Sequence, residues 1–457
     1  MGGSLEEFIP LTPPVVKIYS CGPTVYRFAH IGNLRTYLLS DTLVRVLRSQ
    51  GFRVIHVKNI TDVGHMRQEF LERGEDKVIA AARAEGKTPR DIADFFSEAY
   101  FRDEGRMNFI PADTYPRATD HIPETIDLIQ SLVNNGYTYE REGTIYFDVK
   151  KFSDYGALSG NRLGELREGH RMAGDSKKKH PSDFILWRKA EERREMKWNS
   201  PWGKGYPGWH IECSAMSMKY LGESFDFHIG GIDLVFPHHE NEIAQARCGE
   251  GAAFAKYWIH GGHLLVEGQK MSKSAGNEHT LDGLKNLGFT AIDFRYLCLE
   301  AHYRTMMNFT PVAQEGAKRG HARLKHFARD LGDAYDPERA LSLAGKELDS
   351  EFKRAVLTDL NMPRALATVW KALRTNIDRP TKATLLKKWD LVLGLDLFEE
   401  KRKKGSEYLI VEELAKKRQD ARKAGRYREA DLLREEIEKL GYQVTDTSFD
   451  FRLRKKE

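Results

Sequence analysis

Four groups of residues in this 457-residue chain carry types and spacings that could do chemistry. The first is Lys270-Met271-Ser272-Lys273-Ser274, followed by Gly276 and Asn277. Two lysines around small residues, in a stretch that reads as a flexible loop, can close over a polyphosphate and neutralise charge developing on a leaving pyrophosphate. A charged surface turn has the same composition. The second is His30-Ile31-Gly32-Asn33 at the start of a helix, where residues three apart share a face. A helix N-terminus offers free N–H groups to an anion, and Gly32 leaves room for a flat ligand against the backbone. Alone, this pattern is more often that of an ordinary surface or capping residue. The two motifs together point to a nucleotide site.

The third group offers metal ligands. The sequence PHHENE at 237–242 opens a helix, and His238 and Glu242, four apart, can point to one place. With Cys21 and Cys213 they make a donor set that suits Zn²⁺. Spacing alone does not bring such distant residues together, and cysteines often merely pack. That is the reading for Cys248 and Cys298. His239 falls about 100° further round the helix, so its expected role is supporting or structural. The fourth group is Gly208-Trp209-His210-Ile211-Glu212-Cys213, where Trp209 either walls a small-substrate pocket or packs in the core. Nearby, FDFHIGG at 225–231 reads as a strand ending in a glycine turn, flanked by His228 and Asp233.

Elements must carry these groups. Residues 15–20 read as a short buried strand. Leu39, Leu43, Val46 and Leu47 recur with helical spacing, Gly51 stops the helix, and residues 53–60 alternate as a second strand. Strand, helix and strand make a parallel βαβ unit, which binds ligands beyond the carboxyl ends of its strands, here the loop at 21–29. A more polar stretch at 101–190, with a hairpin-like piece at 137–149 around Gly143, reads as an insertion. A second α/β stretch spans 208–262. Residues 281–398 read as nearly all helical. After a break at Gly405 and Ser406, residues 411–440 form one or two charged helices interrupted near Gly425, and 443–454 is strand-like.

Composition agrees with a folded, multidomain chain. Hydrophobic residues are 40% and charged residues 30%, with a net charge of +5, which excludes a wholly disordered or collagen-like chain. No long apolar run spans a membrane, and residues 1–11 lack the pattern of a secretory signal. Four scattered cysteines fit a reducing compartment rather than a disulfide framework. Basic runs occur at 177–179, 401–404 and 454–456. Each is ordinary solvated surface taken singly, but two lie near the end of the chain, which raises nucleic acid as a partner.

Together the motifs resemble the cysteinyl-tRNA synthetase family of class I aminoacyl-tRNA synthetases. The blocks are CGPTVY at 21–26, HIGN at 30–33, NITD at 59–62, GWHIECSAM at 208–216, GIDLVFPHHENEIAQ at 231–245 and KMSKSAGN at 270–277. RQDARKAGRYREADLLREEI at 418–437 is similar to that family's last domain. The resemblance implies an α/β fold: a Rossmann-type parallel-sheet catalytic domain with an insertion, a helical-bundle anticodon-binding domain and a small C-terminal α/β piece. The expected divisions are 1–105 and 201–280 for the two catalytic halves, with a connective insertion at 106–200. A stem-contact helical region at 281–335, an anticodon-binding bundle at 336–404 and a C-terminal anticodon-recognition domain at 405–457 follow.

The resemblance also implies roles. One zinc ion would be held by Cys21, Cys213, His238 and Glu242, and the thiolate of L-cysteine would join it, distinguishing sulfur from the hydroxyl of serine without an editing domain. Trp209 would close the pocket, and Thr61, Asp233 and Cys21 would contact the amino acid. His30, Asn33, His228 and Lys273 would hold ATP with its Mg²⁺. Catalysis would rest on His30, Asn33, Lys270 and Lys273. The partners would be ATP, L-cysteine and cysteine tRNA, and the enzyme a cytoplasmic monomer with no membrane association.

Three stretches depart from the family pattern. Val63-Gly64-His65-Met66 replaces the usual acidic pair after NITD, with Lys77-Val78-Ile79 as a displaced counterpart of the segment that follows it. Gly261 stands where the family carries Asn. TDTSFDFR at 445–452 replaces the usual end. Two rivals remain: a ligase joining cysteine to a glucosaminyl-inositol, which lacks a full anticodon-binding region, and a catalytically inactive RNA-binding paralogue, which would not need both HIGN and KMSKS.

Overall fold

The computed structural model describes residues 5–68, 73–161, 177–271, 279–336, 340–398, 406–446 and 451–455. Lys273, the rest of the stretch 272–278 and the basic run 401–404 lie outside the described residues.

Strand β1, Val15–Ser20, is rich in β-branched and aromatic residues and buried along most of its length. Helix α1, Ile31–Ser49, carries the chain back to β2, Arg53–Lys58, and Gly51 turns it at φ +85°. The two strands pair in parallel from Val15 with Arg53 to Ser20 with Lys58. The sequence predicts this unit with a boundary shift of only two residues in β2. Much later come helix α2, Trp209–Leu221, strand β3, Ser224–Gly231, helix α3, Glu240–Glu250, and strand β4, Phe254–Gly261. The sheet order is β4-β3-β1-β2, all parallel. The order reverses between β1 and β3, so their carboxyl ends open a crevice where a doubly wound fold takes its ligand. Cys21, the first residue past β1, donates its N–H to Ile229 O of β3 at 3.0 Å.

The insertion is an antiparallel sheet of Thr138–Arg141, Thr144–Phe147, Phe184–Lys189 and Gly205–Pro207 in chain order. Its first turn is Glu142-Gly143, both at positive φ, the two-residue hairpin turn that glycine favours. The last strand leads directly into Gly208 and α2. Phe147, Trp187, Ile211 and Leu132 join the insertion to α2 in one apolar cluster. Tyr19, Val57, Phe225 and Met216 form the core under the parallel sheet.

Helices Ala291–Leu299, Pro311–Leu331, Leu343–Leu357, Met362–Arg374 and Arg379–Leu393 make up most of the stretch from 291 to 393. The expectation of an almost wholly helical stretch misses Met307–Phe309. This three-residue strand pairs with Leu264–Val266, which in turn pairs with Gln269–Lys270. Arg35 of α1 fixes the edge of this small sheet. Its guanidinium donates to the carbonyls of Gly262, His263 and Thr305 at 2.6, 2.8 and 2.6 Å. Lys270 is thereby carried on a framework tied to the helix that His30 begins. No helix among the described residues is long and apolar enough to cross a membrane.

The chain divides into two compact units, Met1–Leu397 and Phe398–Glu457. The second consists of helices Ser406–Lys423 and Tyr427–Lys439 and an antiparallel hairpin, Tyr442–Asp446 with Phe451–Lys455. Gly425 at φ +72° separates the helices. Val411, Ala415, Ile437, Tyr442 and Val444 form its small core.

Candidate active site and metal centre

The loop after β1 passes very close to its neighbour. A Cβ on Gly22 would fall 1.7 Å from Asn59 O, so only glycine fits. Asn59 Oδ1 accepts from Gly22 N at 2.8 Å, and its amide donates to Thr61 Oγ1 at 3.0 Å, which orients that hydroxyl. Thr61 N donates to Pro23 O and Thr61 O accepts from Val25 N, so the two loops are stitched together.

His30 and Asn33 cap α1 reciprocally. Asn33 N donates to His30 Nδ1, and His30 N donates to Asn33 Oδ1, both at 3.2 Å. The capping reading of this motif is therefore correct as far as it goes, and the cap faces a cavity of about 310 Å³. Lys270, Thr61, Trp209, Asp233, Cys21, Cys213 and His238 line the same cavity. Gly32 lines it too, and a Cβ there would press on the Met271 methyl at 2.4 Å. His228 does not join them. It is fully buried in β3, its Nε2 2.9 Å from Glu242 Oε2 and its ring stacked on Trp258. Strand alternation turns its side chain away from the residues that line this cavity, among which His30 and Asn33 stand and His228 does not.

Cys21, Cys213, His238 and Glu242 each present a donor atom within 4.8 Å of all the others, and all four residues are buried. Cys21 comes from the end of β1, Cys213 from the first turns of α2. His238 comes from a π-type turn, Val235–His239, that leads into α3, and Glu242 from α3 itself. His239 is closer than its helical angle implies. Its Nε2 lies 3.4 Å from Cys21 Sγ, and a second quartet of Cys21, His228, His239 and Glu242 meets the same 4.8 Å limit. Phe236 interrupts the turn with extended backbone, and the two imidazoles approach the Cys21–Glu242 pair separately.

Burial opposes charge here. It pushes Glu242 up to about 8 against the pull of His238, and drives His238 and His228 down to about 3. The hydrogen bond to Cys213, then burial, raises the Cys21 thiol well above its usual range. A divalent cation reverses that logic, since it stabilises thiolate and carboxylate and takes a neutral imidazole as ligand. Two sulfurs, one nitrogen and one carboxylate fit zinc.

Sequence reading missed the supporting rings. His210 Nδ1 lies 2.8 Å from His238 Nδ1, and His260 Nε2 lies 2.8 Å from His239 Nδ1, which fixes both rings. Trp209 stacks on His238 at 4.3 Å and on His65 at 4.4 Å. The available signal was position: His210 follows Trp209 in its motif, and His260 closes β4. Cys248 and Cys298 are buried and away from the group, with thiols pushed up to about 12 by burial.

A model of the family described as tRNA synthetases class I (C) catalytic domain matches residues 7–319. The family described as Cysteinyl-tRNA ligase anticodon binding domain matches residues 410–449. A cysteine–tRNA ligase of Treponema denticola is 40% identical over 476 residues, covering 98% of this chain and 96% of that protein. One from Thermus thermophilus is 42% identical over 462 residues, covering 96% and 95%. The solved structure of Mycobacterium tuberculosis methionyl-tRNA synthetase with methionyl-adenylate shares the fold, with a TM-score of 0.56 at 15% identity over 83% of this chain and 89% of that one. The fold is thus that of a class I synthetase, and with matches running almost end to end the chain belongs to the cysteine–tRNA ligase family.

Proposed function

We infer that this protein is a cysteine–tRNA ligase, activating L-cysteine with ATP and passing it to the 3′-terminal adenosine of cysteine tRNA. The observation that carries the reading is one cavity lined by two thiols, an imidazole, a capped helix start and Lys270, with the buried Glu242 carboxylate within 4.8 Å of the thiols and the imidazole. One zinc ion held by Cys21, Cys213, His238 and Glu242 supplies a soft electrophile that prefers sulfur to oxygen. Trp209 closes the subsite, and Thr61 and Asp233 meet the amino acid. The cysteine carboxylate oxygen attacks the α-phosphorus of ATP, the bond to the bridging oxygen breaks, and pyrophosphate leaves. The ribose hydroxyl of the tRNA end then attacks the acyl carbon and AMP departs. His30 and Asn33 hold the nucleotide at the head of α1. Lys270, with Lys273 by family resemblance, offsets charge on the leaving phosphates, which accompany Mg²⁺.

The match of residues 410–449 to an anticodon-binding family supports tRNA as acceptor over a small glycoside. The catalytic halves at 1–105 and 201–280, the insertion at 106–200, the helical regions at 281–335 and 336–404 and the end domain at 405–457 are the working divisions. The enzyme is read as a cytoplasmic monomer. The test is transfer of labelled cysteine to bulk tRNA with ATP, with labelled serine in parallel. Acid-precipitable, RNase-sensitive cysteine without serine is the expected result. No transfer from active, zinc-loaded protein would overturn the reading.

A further inference from the structure

The segment after Asp62 has a structural consequence at the cavity. After Asp62 the chain turns at Gly64, φ +78°, where a Cβ would strike Glu212 Oε1 at 2.5 Å. It then enters a two-stranded hairpin, Met66–Gln68 with Arg73–Asp76. Asp76 closes the base. Its carboxylate accepts from Gly64 N at 2.9 Å, from Val78 N at 3.0 Å and from Arg194 Nη2 at 2.7 Å. Lys77 N donates to His65 O at 3.0 Å. The hairpin is thus spliced out at its root, and Lys77 lands beside His65 on the cavity wall.

The His65 ring is held at both nitrogens. Lys77 Nζ lies 2.9 Å from Nε2, and an ammonium has only protons to give, so Nε2 is the acceptor. The proton is then on Nδ1, which donates to Thr24 Oγ1 at 2.7 Å. So fixed, the imidazole lies parallel to the Trp209 indole, 4.4 Å between centroids and 10° between planes. Trp209 is at the same time stacked on His238 at 4.3 Å and 26°. Trp209 is the first residue of its helix and only partly buried, and its indole packs against the rings of His65, His210 and His238.

We propose that His65 is a positioning residue for the amino-acid subsite: clamped between Thr24 and Lys77, it presents a flat face that holds the Trp209 indole in register with His238. This rests on the cysteine–tRNA ligase reading. The hairpin is then a specificity-supporting device, because the orientation of the pocket wall depends on a ring that the hairpin root delivers.

The test is cysteine-dependent ATP–pyrophosphate exchange by the full-length zinc-loaded protein, with thermal stability and zinc content measured on each variant. An aromatic stack contributes about a two- to tenfold factor in binding. His65→Ala is expected to raise the KM for cysteine by about that factor, with kcat and the KM for ATP little changed. His65→Phe keeps the stack without the hydrogen bonds and is expected to recover most of the loss. His65→Gln keeps an acceptor for Lys77 without the stack and is expected to follow Ala. An unchanged cysteine KM in His65→Ala, or recovery by Gln but not Phe, would overturn the role of the stack while leaving the ligase reading intact. Wild-type protein with no cysteine-dependent exchange would overturn the ligase reading and this inference with it.

Discussion

Asp41, Arg45 and Arg295 form one buried group of ionisable side chains, and Cys21, Cys213, His238 and Glu242 form another. In the first, Asp41 Oδ2 accepts from Arg45 Nε at 2.8 Å and Arg295 Nη2 at 2.6 Å, and Oδ1 accepts from Ile110 N at 2.7 Å. The remaining guanidinium donors reach the carbonyls of Leu393, Met107, Leu391 and Asn108. Burial alone would raise the Asp41 carboxyl, but the two guanidiniums outweigh it and hold it below the usual range. In the second, burial wins, and Glu242 rises to about 8. Among the described residues His228 Nδ1 has no hydrogen-bond partner, and Glu242 Oε1 lies 3.1 Å from His238 Nε2 without hydrogen-bond alignment. A closed network is finished as structure. An open one of soft and hard donors has valence left for a ligand.

The contrast can be broken from either side. The largest effect belongs to the closed network. Asp41→Ala leaves two buried guanidiniums without their anion and should cost about 3–5 kcal/mol, read as a lowered denaturant midpoint with zinc content unaltered. Cys213→Ala should do the reverse. Zinc per chain falls, cysteine activation drops by roughly two to three orders of magnitude, the scale of several kcal/mol from an electrophilic metal, and stability in chelator stays near wild type. His210→Ala, which removes the partner of His238 Nδ1, should weaken zinc binding by about 10–100-fold, measured by competition with a chromogenic chelator. The smallest effect is a pH slope. Asp41 has a lowered folded value, so its contribution is full above the ordinary 3.8 and is lost as pH falls through the folded value. Asp41→Asn should flatten the stability loss of the wild type below that pH. An unchanged slope would mean that Asp41 is not the titrating group.

Much of the frame was legible because it is local. Period-two and period-3.6 patterns mark β1 and α1, Gly143 marks a hairpin turn, and Gly425 marks the break between the last two helices. The candidate ligands were legible by type, since thiols, imidazole and carboxylate in marked motifs invite the same metal. What escaped is long-range. Nothing near Asp41 in sequence announces Arg295, and nothing near Trp209 announces His65. Met307–Phe309 is too short to show a period. The burial of His228 was not legible because a strand pattern tells which residues share a face, not which face looks into the crevice.

The four candidate ligands at 21, 213, 238 and 242 also set a schedule. A growing polypeptide cannot offer the full set until more than half of it has left the ribosome and α2 and α3 have docked on the sheet. Small zinc modules collect their ligands from neighbouring stretches and use the ion to fold. Here one loop of nearly two hundred residues must close first, at an entropic cost that the apolar core, not the ion, must meet. On the proposed zinc reading, metal loading would follow folding, and newly made, zinc-poor protein is expected to be already folded.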